Sequence, residues 1–446
     1  MKTKSYVFFF LLIIALSACK KNSSNITPNT TTTTPIVDYT IQTAPTNSNY
    51  SLEQAMSDNG QLMTIAFSGL AFITGNDGGD TFFPPGKVAD YFGFQYMRDV
   101  DLAGYGHNTQ FLTRAANNVL KILNTAQKTK LINLAKEQVP LYVKFAYNRM
   151  PLMNAFRRNL NTNSIPSGAV ELSRDRIISY TSSLYKIDAD LSYNRAVMMG
   201  EIVQSLTTDQ KAYLANMKFN DFNTWPDVSE DTSIKVGMTN NEYVAVMTYA
   251  SEFFSWYKGG INADIYFCPE RHGTYFGGFF LKDYPAMNNP NYFIPLDQTG
   301  ECGKAFINAL NPEQQALINS IIPEQKVLLT ELAQVRESIC KEMRKAMNGL
   351  GIDKVAIYQL IARYGEIDGS MSGLYAIRFG AVNKTLTADQ MITLRKIRNL
   401  DVVPTGVFRY ATAVATPILP NTDYLFGLGI IPSDAGSSIP PTGFDN

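Results

Sequence analysis

Apolar residues along most of this chain recur three and four positions apart, as at Leu131, Leu134, Ala135 and Val139, the spacing that places them on one face of a helix. Stretches alternating apolar with polar are sparse, so the pattern predicts an all-α fold. Two pieces break it. Gly75 to Gly93 and Gly259 to Gly278 combine Gly and Pro with aromatics, and are expected as loops packed by their own rings between helices. At the start, Val7 to Ala15 form an apolar run behind Lys2 and Lys4, too short to cross a bilayer comfortably and laid out as a secretory signal. The Asn-, Ser- and Thr-rich stretch that follows cannot bury apolar area and is expected to be a flexible tether. Beyond Pro404 the chain is rich in Gly, Pro and Ser, which predicts an irregular tail, disordered from Ser433 onward.

The helical pattern occurs twice. Phe83-Pro84-Pro85-Gly86-Lys87 followed by Tyr91-Phe92-Gly93 recurs 184 residues later as Phe267-Cys268-Pro269-Glu270-Arg271 followed by Tyr275-Phe276-Gly277. Arg98-Asp99 and Met63-Thr64 recur at the same offset as Lys282-Asp283 and Met247-Thr248. Further along, Arg149 and Arg157 match Arg336 and Arg344, and Ile187-Asp188, Ser192, Ala196 and Gly200 match Ile367-Asp368, Ser372, Ala376 and Gly380. The expectation is a tandem duplication of a helical-bundle unit of about 184 residues with pseudo-symmetry. Its parts would be a signal peptide at 1–18, a tether at 19–50, units at 51–221 and 239–403 joined by a linker at 222–238, and a tail at 404–446.

Leu16-Ser17-Ala18-Cys19, directly after the apolar run, resembles the bacterial lipobox, which implies cleavage before Cys19 and lipidation of its thiol. That resemblance implies an outer-membrane lipoprotein. With no acidic cluster after Cys19, a periplasm-facing position is favoured over the cell surface. Formal net charge is zero with 17% charged residues, which argues against nucleic acid as a partner, since phosphate binding needs a basic surplus.

Four segments start helices in the same way. Thr207 with Gln210 and Thr387 with Gln390, each after a Leu, have the form of a capping box, in which the Thr side chain accepts from an amide three residues on and Gln reaches back. Asn124 with Gln127 and Asn311 with Gln314 put Asn at the cap. These four segments resemble the LTxxQ motif of the Spy/CpxP family, small all-helical periplasmic proteins that carry two such motifs and dimerise into a cradle. The resemblance implies a covalent version of such a dimer, acting as an ATP-independent chaperone or a stress- or metal-related regulator.

Candidate chemistry is thin. Cys268-Pro269-Glu270-Arg271-His272-Gly273 offers a thiol, an acid and one of two imidazoles, but Pro84, Gly86, Lys87 and Val88 hold the matched places, so a catalytic loop would belong to the second unit alone. Cys268 and Cys302 are the pair a disulfide would join. No motif provides a nucleophile with its base, a metal cluster or a cofactor site, so no catalytic, metal or cofactor residues are assigned. The candidate binding surface is the repeated aromatic and charged set: Lys87, Tyr91, Phe92, Arg98 and Asp99, with Glu270, Arg271, His272, Tyr275, Phe276, Lys282 and Asp283. The expected role is non-enzymatic: a chaperone-like protein that meets the membrane through its lipid and holds unfolded chains, partner proteins or a small ligand. Alternatives are a metal or small-ligand binder, or an enzyme using the Cys268 to His272 loop.

Overall fold

The computed structural model describes residues 49–50, 58–74, 110–218, 222–258, 294–397 and 418–442. Apart from a two-residue antiparallel pairing of Asn49–Tyr50 with Ile294–Pro295, its regular elements are helices, and the fold is all-α. Eleven α-helices occur among the described residues: α1 (Asp58–Thr74), α2 (Gln110–Ile122), α3 (Thr125–Leu160), α4 (Arg174–Gln204), α5 (Thr208–Asn216), α6 (Asn240–Tyr257), α7 (Leu296–Ala309), α8 (Pro312–Asn319), α9 (Ile321–Arg344), α10 (Lys354–Asn383) and α11 (Ala388–Ile397). From α6 onward the helix order of the first half recurs, with α8 and α9 in succession standing where α3 is continuous.

The long helices α3, α4, α9 and α10 form a central bundle, with α4 against α10 as its most extensive contact. Sequence explains how closely that pair packs. Gly365, Gly369 and Gly373, one turn apart on α10, lie against Thr181, Tyr185 and Ile177 of α4, and a Cβ at Gly369 would sit 2.0 Å from the Thr181 hydroxyl. The outer contacts use the same device at matched places: a Cβ at Gly200 would meet Ala346 at 2.6 Å, and one at Gly380 would meet Asn159 at 2.4 Å.

A separate apolar core sits at each end of the bundle. Core 1 joins α2, the first part of α3, the later part of α4, α5 and Trp225 to α6, the later part of α9 and the first part of α10. Core 2 joins α1, the end of α3 and the start of α4 to α7, α8, the start of α9, the end of α10 and α11. Each core therefore draws on both halves of the sequence. The first helix of each half is exchanged: α1 packs on α7 in core 2, and α6 packs on α2 and α3 in core 1. Burying an apolar helix face in the opposite half ties the halves together through the hydrophobic effect itself.

The end of the chain departs from the disorder expected after Ser433. Tyr424, Leu425 and Phe426 are buried in core 2. Further on, the Asn148 amide accepts from the Ser438 backbone N–H at 2.7 Å and donates to its carbonyl at 2.8 Å. A side-chain amide can mimic a strand partner, so a Pro- and Ser-rich segment gains backbone satisfaction without regular structure. Likewise Trp225, within the stretch read as a linker, is buried, donates its indole N–H to the Lys218 carbonyl at 2.8 Å and meets Phe254 edge-on.

Candidate functional site

The four cap motifs are formed and come together in pairs. Asn124 accepts from the Gln127 amide at 3.0 Å while the Gln127 side chain accepts from the Asn124 amide at 2.9 Å, and Thr207 and Gln210 do the same at 3.2 and 2.9 Å. With its carbonyl oxygen engaged in its own cap, each Gln turns its amide N–H groups outward. Gln210 donates to the Gln127 oxygen at 2.8 Å and to the Ile122 carbonyl at 2.7 Å. Gln127 in turn donates to the Ser205 carbonyl at 3.0 Å. The second pair repeats this: Gln390 donates to Gln314 at 2.8 Å and to the Ala309 carbonyl at 2.9 Å, and Gln314 donates to the Thr385 carbonyl at 3.0 Å.

Each lock thus ties two helix starts to the ends of the helices before them. A cap side chain normally satisfies one end of one helix. Here Gln acts on both, and Leu123, Leu206 and Leu310, just before the caps, are buried beside them.

Among the described residues, four of the charges found at matched places in both halves act as anchors. Arg149 and Asp368, both fully buried, pair between α3 and α10 at 3.9 Å. Arg157 donates to the Phe72 carbonyl at 2.7 Å with its guanidinium 4.6 Å from the Phe72 ring. Arg344 does the same for Trp256, at 3.1 Å to the carbonyl and 5.5 Å to the ring. Each Arg holds a carbonyl in the last turn of an exchanged helix, where the helix dipole favours a cation.

Core 1 also contains a polar group with no charged counterpart at the matched positions of the other half. Arg195 of α4 bonds Glu252 of α6 at 3.0 Å and lies 5.5 Å from the Tyr249 ring. Tyr249 donates to Gln138, which donates to the Leu191 carbonyl at 3.1 Å. Burial pushes the neighbouring Tyr142 hydroxyl well above its ordinary pKa, with Arg195 opposing that rise. A phenol held neutral in this way does not exchange protons near neutral pH.

A cleft of about 200 Å³ opens between α2, α6 and residues 228–234, lined by Lys121, Lys128, Glu230, Asp231 and Tyr243. That is below the roughly 300–1,000 Å³ of small-molecule sites. Among the described residues, no group of three His, Cys, Asp or Glu side chains is placed to hold a metal ion. No helix there is long and apolar enough to cross a membrane.

The candidate binding residues Lys87, Tyr91, Phe92, Arg98, Asp99, Glu270, Arg271, His272, Tyr275, Phe276, Lys282 and Asp283 lie outside the described residues, as do Cys19 and Cys268. Cys302 lies on α7, its side chain likewise outside the described set. Comparison with protein-family models, with curated proteins and with solved structures gave no match to this chain.

Proposed function

We propose that this protein is a lipid-anchored envelope protein with a non-enzymatic, chaperone-like binding role, in which a duplicated LTxxQ-type unit forms a pseudo-dimer within one chain. One arrangement carries the reading: two capping boxes joined through a reciprocal Gln pair, present once in each half at matched positions. Resemblance to the LTxxQ family rests on four short segments, and their paired geometry gives them a common purpose, fixing the helix ends of each half. The recurrence of the same helix order in both halves supports the duplication. The signal layout and the lipobox before Cys19 support anchoring. Repeated aromatics around Tyr91-Phe92 and Tyr275-Phe276 would supply the surface that holds a client.

The test has two arms. Cys19→Ser should release the protein from the membrane fraction, and retention there would overturn the anchor. The lipid-free protein should suppress aggregation of a reduced, unfolding client at near-stoichiometric ratio, with Tyr91→Ala and Tyr275→Ala together weakening that effect. A protein that neither binds nor protects such a client would overturn the binding role.

A further inference from the structure

The halves have the same helix order, so α1 and α6 are related helices with two related berths. Nothing in apolar periodicity decides which goes where. Arg157 and Arg344 grip the ends of α1 and α6 alike, so these anchors are common to both. The discrimination lies one turn earlier. In core 1, α6 presents Glu252 and Tyr249 to Arg195. The matched residues on α1 are Ser68 and Ile65, and the position matching Arg195 is Tyr375. In core 2, Gln61 of α1 accepts from Gln325 at 2.5 Å, where α6 has Ala245. Size differs in the same sense. Gly69 of α1 lies so close to Phe379 that a Cβ would be 2.8 Å from the ring, whereas its match on α6 is the fully buried Phe253 and the match of Phe379 is Met199.

We propose that core 1 is a recognition site for an acidic, aromatic helix and core 2 for a small-residue helix, and that this difference enforces the exchange of α1 and α6. Seated in core 1, α1 would leave Arg195 facing a serine and a void at Gly69. Seated in core 2, α6 would bury Glu252 against a tyrosine and drive Phe253 into Phe379. A buried charge without its partner and an overpacked ring are both strongly disfavoured. The unexchanged arrangement is thereby excluded, by unpaired charge and by volume. This inference rests on the match between the halves and not on lipidation or client binding, so its failure and theirs are separable.

Hydrogen exchange on the full chain tests it. Arg195→Leu or Glu252→Leu should each speed exchange of α6 amides by roughly a hundredfold to several thousandfold, the size expected when one member of a buried pair is removed, while α1 amides stay as they were. The double variant Arg195→Leu/Glu252→Leu should recover most of that protection. If α1 and α6 respond alike, or if the double variant exchanges as fast as the product of the two single effects, the proposal is overturned. A second set covers single variants that fail to fold. Ser68→Glu with Gly69→Phe should strip α1 of protection, and adding Tyr375→Arg with Phe379→Met should return it. Failure of that return would also overturn the proposal.

Discussion

Core 1 and core 2 solve the same packing problem with different chemistry. Both bury the first helix of the opposite half, both hold its last turn with an Arg, and both place a Gln, 138 or 325, where it bonds a buried Tyr. In core 1 that Tyr comes from the exchanged helix α6; in core 2 it is Tyr375 of α10, and Gln325 reaches α1 through Gln61 instead. Core 1 holds the ion pair Arg195–Glu252, whereas the matched positions of core 2 hold Tyr375 and Ser68. The same helix packing is therefore compatible with different buried polar groups. The part that the two cores share sets shape, and the part in which they differ sets which helix each one holds.

The largest test of this comparison concerns the segments that close each end. Trp225→Ala should cost core 1 about 3–5 kcal/mol, and Leu425→Ala should cost core 2 about 2–5 kcal/mol, by transfer and cavity terms together. Chemical denaturation reads both. A Leu425 variant as stable as the parent would mean that the tail only covers core 2 without helping to build it.

Next in size are the Gln locks. Gln210 faces Gln127 in a buried contact, whereas Gln390 and Gln314 meet in a partly buried one. Gln210→Ala should cost about 1–3 kcal/mol and Gln390→Ala about 0.5–1.5 kcal/mol, because the deeper site leaves its partners without water. Equal costs would show that burial does not distinguish the two ends.

The smallest effect is a pH effect on the tail that closes core 2. Hydrogen bonding from Arg158, and then from Asn421, holds the Asp423 carboxyl below its ordinary pKa, and Arg158 reaches it at 2.8 Å. A depressed folded pKa gives stability that is fully present above the unfolded value of about 3.9 and is lost as pH falls through the folded value. Limited proteolysis of residues 418–442 should therefore accelerate below about pH 4. Asp231, in the segment that closes core 1, is also lowered, by Ser233, but it is exposed and bonds within its own turn. That segment should keep its protection.

Much of this was legible in the sequence where the information is local. The cap motifs at Asn124, Thr207, Asn311 and Thr387 were readable because donor and acceptor lie three residues apart, and the apolar spacing gave the all-α class. Helix exchange was not, because periodicity says which face is apolar and not which neighbour covers it. The same holds for Glu252, whose partner lies 57 residues earlier on another helix. The tail shows the opposite failure: its composition suggested disorder, but one amide, Asn148, supplies at a distance the hydrogen bonds that the local sequence lacks. The candidate binding residues carry the clearest repeat in the sequence, and they fall outside the described part of the fold.

The exchange of α1 also orders events at the ribosome. Helix α1 precedes the other described helices in the chain, yet its berth is assembled from α7, α8, α9, α10 and α11, the last of which ends at Ile397. For most of synthesis α1 therefore has no place to bury Ile65, Leu70 and Phe72, three side chains that are buried in the finished protein. Core 1, whose α2 to α6 are contiguous in the chain, is the earlier of the two to gather its parts. A growing chain of this design carries an exposed apolar helix until α11 is made, and the step that buries it joins segments far apart in sequence.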